Sequence, residues 1–266
     1  MGKEVFKEFL RLMKPSVRKE ILIDSKEKLE EAAVYYGLLP FFRNNVKGLS
    51  VEEMCALGML FGGNFDEGCW EWKGPVIRKR TTAYGKFFKR KAGFVALDLL
   101  PDFLNYRRYA YPVKKGGIDE MLLEIIREND SLTSTELRQL IFGGRKRNWD
   151  DLPEIEGNLI TNSKNKGLEG PLQRLQMGGW LVISDFEYKK AKNGERYGWG
   201  VARYSTPEVV FHDLKEKLER DSTGIKLKEN SILSAHSPER SLELLISNKK
   251  RINPRVSFEN YRFLIK

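Results

Sequence analysis

The chain has 266 residues, 41% of them hydrophobic, enough to bury more than one core, and its 47 Lys and Arg against 37 Asp and Glu give a formal net charge of +10. No apolar run approaches the roughly 20 residues that cross a bilayer, and Met1 to Pro15 is charged and amphipathic without the apolar core of a signal peptide, so no membrane is expected as a partner. Cys55 and Cys69 are the two cysteines, and with no His or Cys at ligand spacing neither a zinc site nor a disulfide framework follows. No metal and no cofactor are expected, and His212 and His236 read as incidental.

The first lobe runs to about Pro112. Asp24 or Ser25 caps a helix carrying Leu29, Ala32, Ala33 and Tyr36, which Gly37 and Pro40 stop. Ser50 caps the next, with Glu53 in the capping-box position and Met54, Leu57 and Leu60 as its buried stripe. Trp70 and Trp72 then flank Glu71. On a strand such a pair alternates between core and surface; the functional alternative has one indole filling the gap left by an extruded base.

From Lys73 to Lys91 the chain holds eight cations (Lys73, Arg78, Lys79, Arg80, Lys86, Lys89, Arg90 and Lys91) and no acid. A charge run is ordinarily a solvated face. Here Tyr84, Phe87 and Phe88 are interleaved with it, and Gly74, Gly85 and Gly93 suggest an ordered strand or turn-rich segment. That pattern suits phosphate contact with stacking of an unpaired base. The expectation is that Lys79, Arg80, Tyr84, Lys86 and Arg90 line a groove between this lobe and the next, with Lys89 a further nucleic-acid contact.

After Pro112 the pattern becomes regular. Ile118, Leu122, Leu123, Ile125 and Ile126 form a helical stripe ending near Asn129-Asp130. Thr133 or Ser134 caps a second helix, with Glu136 close to the capping-box position and Leu137, Leu140 and Ile141 inward. A long polar connection from Gly143 to Gly167, basic at Arg145 to Arg147, leads to a third helix with Leu172, Leu175 and Gln176 at helical spacing, closed by Gly178-Gly179. Trp180 to Ile183 begins an apolar strand. Asn193-Gly194 suits a type I′ turn, and Tyr197, Trp199 and Val201 return at period two. Lys189, Lys190, Lys192 and Arg196 crowd the tip. Helix, helix, helix and two-stranded wing over residues 116 to 206 spell a winged helix-turn-helix. The third helix would present Gln173 and Arg174, with phosphate contact by Arg174 and the wing ahead of base readout.

Beyond Pro207 the signal is weaker. A helix follows Thr206-Pro207 through Leu218, Ser222 to Pro238 is turn-rich, and Pro238 to Ser247 is helical. Phe258, Tyr261, Phe263 and Leu264 are placed to dock back on a lobe. The division expected is an N-terminal lobe over 1–112, a winged helix over 113–208 and a helical extension over 209–266. The fold class is α+β, mainly helical, with winged helix-turn-helix modules that a degenerate first lobe would make tandem, although no tandem sequence repeat is visible.

Several blocks together carry a family resemblance. Trp72-Lys73-Gly74-Pro75, Tyr84 to Phe88, Lys91 to Val95, Pro101-Asp102-Phe103 with Asn105 to Arg108, Leu172 to Met177, Asp185 to Lys189, Tyr197 to Tyr204 and Thr206-Pro207-Glu208 resemble the AlkZ-related family over roughly residues 30 to 210. Its better-known relatives, the AlkZ and YcaQ winged-helix DNA glycosylases, remove alkylated bases and unhook interstrand crosslinks, using tandem winged helices that form a concave DNA-binding surface. The resemblance therefore implies double-stranded, damaged DNA as partner, base excision as activity and a cytoplasmic, nucleoid-associated setting.

Those glycosylases position the hydrolytic water with a Gln-x-Gln motif. The glutamines here are Gln139, Gln173 and Gln176, and none makes that motif. A monofunctional glycosylase still needs a polar or acidic group to orient water against a cationic sugar. The carboxylates nearest the basic block are Asp66, Glu67, Glu71 and Asp102; pairing with neighbouring Lys or Arg is the plainer role for Glu71 and Asp102. Two readings stay open. One is a glycosylase-like DNA-binding protein that recognises or excises alkylated or crosslinked bases; the other is a non-enzymatic winged-helix regulator or architectural DNA-binding protein. An adaptor for other proteins fits the charge distribution less well.

Overall fold

The computed structural model describes residues 21–62, 68–143, 167–194, 196–221, 223–248 and 257–266. The first half runs α1 (Lys26–Tyr36), β1 (Leu38–Pro40), α2 (Val51–Met54), α3 (Cys69–Arg78), β2 (Thr82–Phe88) and β3 (Lys91–Ala96). Helix α4 (Leu100–Ala110) leads into the second half: α5 (Ile118–Glu128), β4 (Ser131–Thr133), α6 (Ser134–Phe142), α7 (Glu169–Met177), β5 (Val182–Lys190) and β6 (Arg196–Ser205). Four helices close the chain, α8 (Pro207–Val210), α9 (Leu214–Arg220), α10 (Pro238–Ser247) and α11 (Phe258–Ile265). The described residues thus form a mixed α/β fold of eleven helices and two three-stranded antiparallel sheets.

The sheets are ordered β1-β3-β2 and β4-β6-β5. Each half therefore runs helix, strand, helix, helix, hairpin, and in each the last strand lies at the centre of its sheet. The repetition lies in topology, so a search for recurring residues could not find it.

Local chemistry explains the helix limits. Ser25 caps α1 by accepting from the Lys28 amide, and Leu29, Ala32, Ala33 and Tyr36 form its buried face. Gly37 ends it at φ +72°, where a Cβ would come within 2.6 Å of Leu99 Cδ1. Thr133 and Glu136 make the reciprocal capping box, with the Thr133 amide donating over 2.7 Å to Glu136 and the Glu136 amide over 3.2 Å to Thr133 Oγ1.

Four expectations change. Helix α2 is one turn long because Cys55 is already extended, so Leu57 is fully exposed and Leu60 half-buried rather than parts of a buried stripe. Trp70 and Trp72 lie on helix α3 and not on a strand. Leu140 faces solvent. The β5–β6 connection spans residues 191–195, and of its described residues only Gly194 has a positive φ, so Asn193-Gly194 is not a type I′ turn. The tight turn with two left-handed residues is at Lys89 (φ 50°) and Arg90 (φ 68°), between β2 and β3.

The halves interlock. Helix α7 of the second packs on β2 of the first, α3 of the first packs on β5 of the second, and β2 lies against β5. Gln176 is buried at the first of these contacts, its Oε1 accepting from the Lys86 amide at 3.0 Å and its Nε2 donating to the Leu172 carbonyl. Tyr84 and Phe186 meet edge to face, centroids 6.1 Å apart, where β2 and β5 touch. Arg107 of α4 is fully buried and donates to the Phe87 carbonyl at 2.7 Å, with its guanidinium over Phe103 and Tyr111.

The C-terminal extension returns to the first half. Helix α10 lies along α4, where buried Asp102 accepts from Ser241 Oγ at 2.7 Å and sits 2.9 Å from His236 Nδ1. Asn105 donates to Ser241 Oγ and to the His236 carbonyl, and Lys228 donates to Asn105. His236 is therefore part of an anchor, not an incidental residue. Helix α11 packs on α10 with Tyr261, Leu264 and Ile265 buried, and Asn248 links both to the Tyr36 carbonyl and the Tyr261 hydroxyl.

Because Gln176 is buried and accepts from the Lys86 amide, Gln176→Leu keeps the volume and removes the hydrogen bond. It is expected to lower unfolding free energy by about 1–3 kcal/mol in urea denaturation.

Candidate nucleic-acid interface

The β5–β6 hairpin extends its basic tip into solvent. Lys189, Lys190, Lys192 and Arg196 are all exposed there. Register sorts them by face: Lys190 pairs with Arg196 and Lys189 with Tyr197, so each pair shares one side of the ribbon. The Arg196 guanidinium lies 5.0 Å from the Tyr188 ring centre. Tyr197, on the other side, is 50% exposed, and Trp199, past a register irregularity at Gly198 (φ 73°), is 64% exposed. The expected period-two apolar set is interrupted at Gly198, with Tyr197 and Trp199 exposed and Val201 half-buried.

The residue 73–91 segment does not form the expected groove. Lys73 is buried. Arg78 pairs with Asp185 of β5 at 2.8 Å, and Lys79 pairs with Glu30 of α1 at 2.5 Å. Arg80 is half-buried and donates to the Ser184 carbonyl at 2.9 Å. Lys86 lies 3.9 Å from Glu169 at the start of α7. Lys89, Arg90 and Lys91 are exposed at the first hairpin tip, where Lys91 Nζ donates to the Arg43 carbonyl.

Tyr84 must be corrected outright. At 3% exposure it packs among Phe41, Phe94 and Phe186 and cannot stack on a base. Helix α7 does not stand free either. Gln173 Nε2 reaches the Arg90 carbonyl at 3.4 Å, and Arg174 forks onto Asp119 with bonds of 2.9 and 2.6 Å. With Leu172, Leu175 and Gln176 also buried, the inner face of the helix is packed where the halves join, while Arg174 stays exposed. The spacing of α7 could not reveal this, since a stripe packed on another lobe reads like one packed on its own.

Of the carboxylate candidates, Asp66 and Glu67 lie outside the described residues. Glu71 is buried in the first turn of α3, and Asp102 is committed to Ser241 and His236. Ser234 Oγ also approaches His236, but at the same Nδ1 atom that faces Asp102. A relay needs the two imidazole nitrogens divided between acid and hydroxyl, so this arrangement is an anchor and not a nucleophilic triad. Cys55 and Cys69 are free thiols facing each other across 2.9 Å, where α2 ends and α3 begins.

Sequence reasoning missed an aromatic cluster spanning the two halves. Phe61 and Trp70 come from the first half and Trp199 from β6. The two indoles meet at 5.8 Å and 89°, and Phe61 lies 6.0 Å from Trp70 and 6.4 Å from Trp199. Trp72 turns inward instead. The sequence carried no local signal of it, since the three rings meet only where the halves pack.

Among the described residues no helix is long and apolar enough to cross a membrane, and no group of three or more His, Cys, Asp or Glu is placed to hold a metal. A family model described as AlkZ related matches residues 23–261. No curated protein and no solved structure matches the chain.

Lys73 underlies the cluster. Its ammonium donates to the Trp70 carbonyl and lies 3.7 Å from the Trp70 ring centre and 4.5 Å from that of Phe186. Burial pushes its pKa down to about 7, against the opposing pull of Glu71. Between about pH 7 and its ordinary 10.5 the unfolded chain holds a proton that the folded chain has released, so this residue makes stability rise with pH across that window. Lys73→Met is expected to be more stable than the parent at pH 7, by a few kcal/mol as an order of magnitude, with an advantage that shrinks toward pH 10. Parallel urea titrations across that range measure the difference.

Proposed function

Because the chain belongs to the AlkZ-related family, we propose that it binds double-stranded DNA, as a glycosylase-like protein built from two winged-helix halves and a C-terminal helical extension. The repeated order of helix, strand, helix, helix and hairpin supports the tandem reading. The observation that carries DNA binding is the β5–β6 hairpin, where Lys189, Lys190, Lys192 and Arg196 stand exposed at the end of an extended ribbon. Phosphate contact by such a tip is a sequence-independent interaction. Helix α7 is engaged with β2 and α5, so recognition in this reading follows duplex shape and backbone charge more than base edges. Lys89 and Arg90 at the first hairpin tip provide a second basic contact, while Lys79, Arg80, Lys86, Gln173 and Arg174 serve mainly to hold the fold.

Alkylated or crosslinked duplexes are the substrates proposed for this surface, on the strength of the family relationship. Glu71 and Asp102 are turned into the interior, so the proposal assigns them no catalytic role. Incubation with a panel of alkylated and crosslinked duplexes, scored for abasic sites, separates excision from binding alone.

Affinity for an undamaged duplex is expected to fall steeply with salt, each phosphate contact adding about 0.9 to the log–log slope. Replacing Lys189, Lys190 and Arg196 together by Ala should weaken binding alike on unrelated sequences and flatten that slope, with an unchanged melting temperature. Salt-independent affinity in the parent protein would overturn the proposal.

A further inference from the structure

The aromatic cluster at the base of the second hairpin is not used by phosphate contact, and three observations bear on what it does. It is open: Trp199 is 64% and Phe61 50% exposed, although rings of this size ordinarily bury most of their surface. It is held in shape, because Trp70 packs against Phe41 and Phe42 on one side and covers the buried Lys73 ammonium on another. It is flanked by cations, since Lys189, Lys190, Lys192 and Arg196 are all exposed within the same hairpin.

Exposed apolar rings beside a row of cations match one kind of partner better than others. A protein partner would meet the apolar patch with apolar surface and leave the cations unpaired. A polynucleotide strand carries both complements in one unit, a π-face for the rings and a phosphate for the ammonium groups. Paired bases within a duplex expose edges and not faces, so the ring-stacking occupant is a base out of its pair.

We propose that Phe61, Trp70 and Trp199 form a stacking site for one unpaired nucleobase, with the exposed cations of the same hairpin on the adjoining phosphate. This rests on the DNA-binding reading above and adds to it a preference for DNA with a displaced or unmatched base. Trp199, the most exposed ring, supplies the stacking face. Trp70 and Phe61 form the wall that keeps it at its angle. Because Phe61 and Trp70 belong to one half and Trp199 to the other, the site exists only when the halves are docked.

The test compares a perfect duplex with one of the same length carrying a single bulged 2-aminopurine, by fluorescence anisotropy and by the emission of the 2-aminopurine itself. The parent protein is expected to bind the bulged duplex about tenfold more tightly and to quench the emission. Trp199→Ala should abolish both the preference and the quenching while leaving perfect-duplex affinity and the melting temperature unchanged, and Trp199→Phe should restore part of each. Equal affinity of the parent for both duplexes, or a Trp199→Ala variant that keeps the preference or loses both affinities alike, overturns the stacking site and leaves DNA binding intact. Failure of the parent to bind either duplex removes the DNA-binding reading and the stacking site with it.

Discussion

The structure depends on the reciprocal seating of each half's third helix against the other half's hairpin. Helix α7 rests on β2 and α3 rests on β5, with Tyr84 and Phe186 in contact where the two strands meet. Each half alone would leave an apolar helix face and a strand uncovered, and docking buries both at once. This constraint fixes the positions of the hairpin tips relative to one another. It also explains why the basic residues nearest the junction, Arg78, Arg80 and Lys86, are spent on Asp185, the Ser184 carbonyl and Glu169.

Polar groups at the junction make the seating specific. Apolar packing alone tolerates sliding, whereas Gln176, Arg78 and Arg80 each hold a partner across the junction at a fixed place: the Lys86 amide, Asp185 and the Ser184 carbonyl. Burial also pushes the Arg107 pKa down to about 10, so the site is costly for a cation and tolerable because of its carbonyl and aromatic neighbours. The Asp102, Ser241 and His236 anchor does similar work for the C-terminal helices, which cover α4 and extend the core beyond the two halves.

What could be read in advance was what is local. The Ser25 and Ser50 caps, the Thr133–Glu136 box and the Gly178-Gly179 stop depend on neighbours three or four residues away, and all appear where the residues put them. The three helices α5, α6 and α7 and the β5–β6 hairpin followed from periodicity for the same reason, whereas the three-residue strand β4 between α5 and α6 is too short to show one. The candidate surface was less legible because exposure is decided by the partner element. The charge run from Lys73 to Lys91 looked continuous, yet it crosses a helix, a strand and a tight turn, which point its cations in different directions. Tyr84 carries no mark distinguishing a stacking ring from a core ring. Nor could the apolar alternation of β6 say that Tyr197 and Trp199 face outward, since period two gives the parity of a strand and not its side.

The two hydrogen bonds on β2 have one more consequence. Strand β2 lies at the border of its sheet, a position where unpaired main-chain groups invite another strand to add. Here the Lys86 amide is taken by the Gln176 side chain and the Phe87 carbonyl by the Arg107 side chain. Two side chains thus stand in for a neighbouring strand without lengthening the sheet. While α7 and α4 hold these residues in place, an added strand would have to displace both side chains before it could pair at that point.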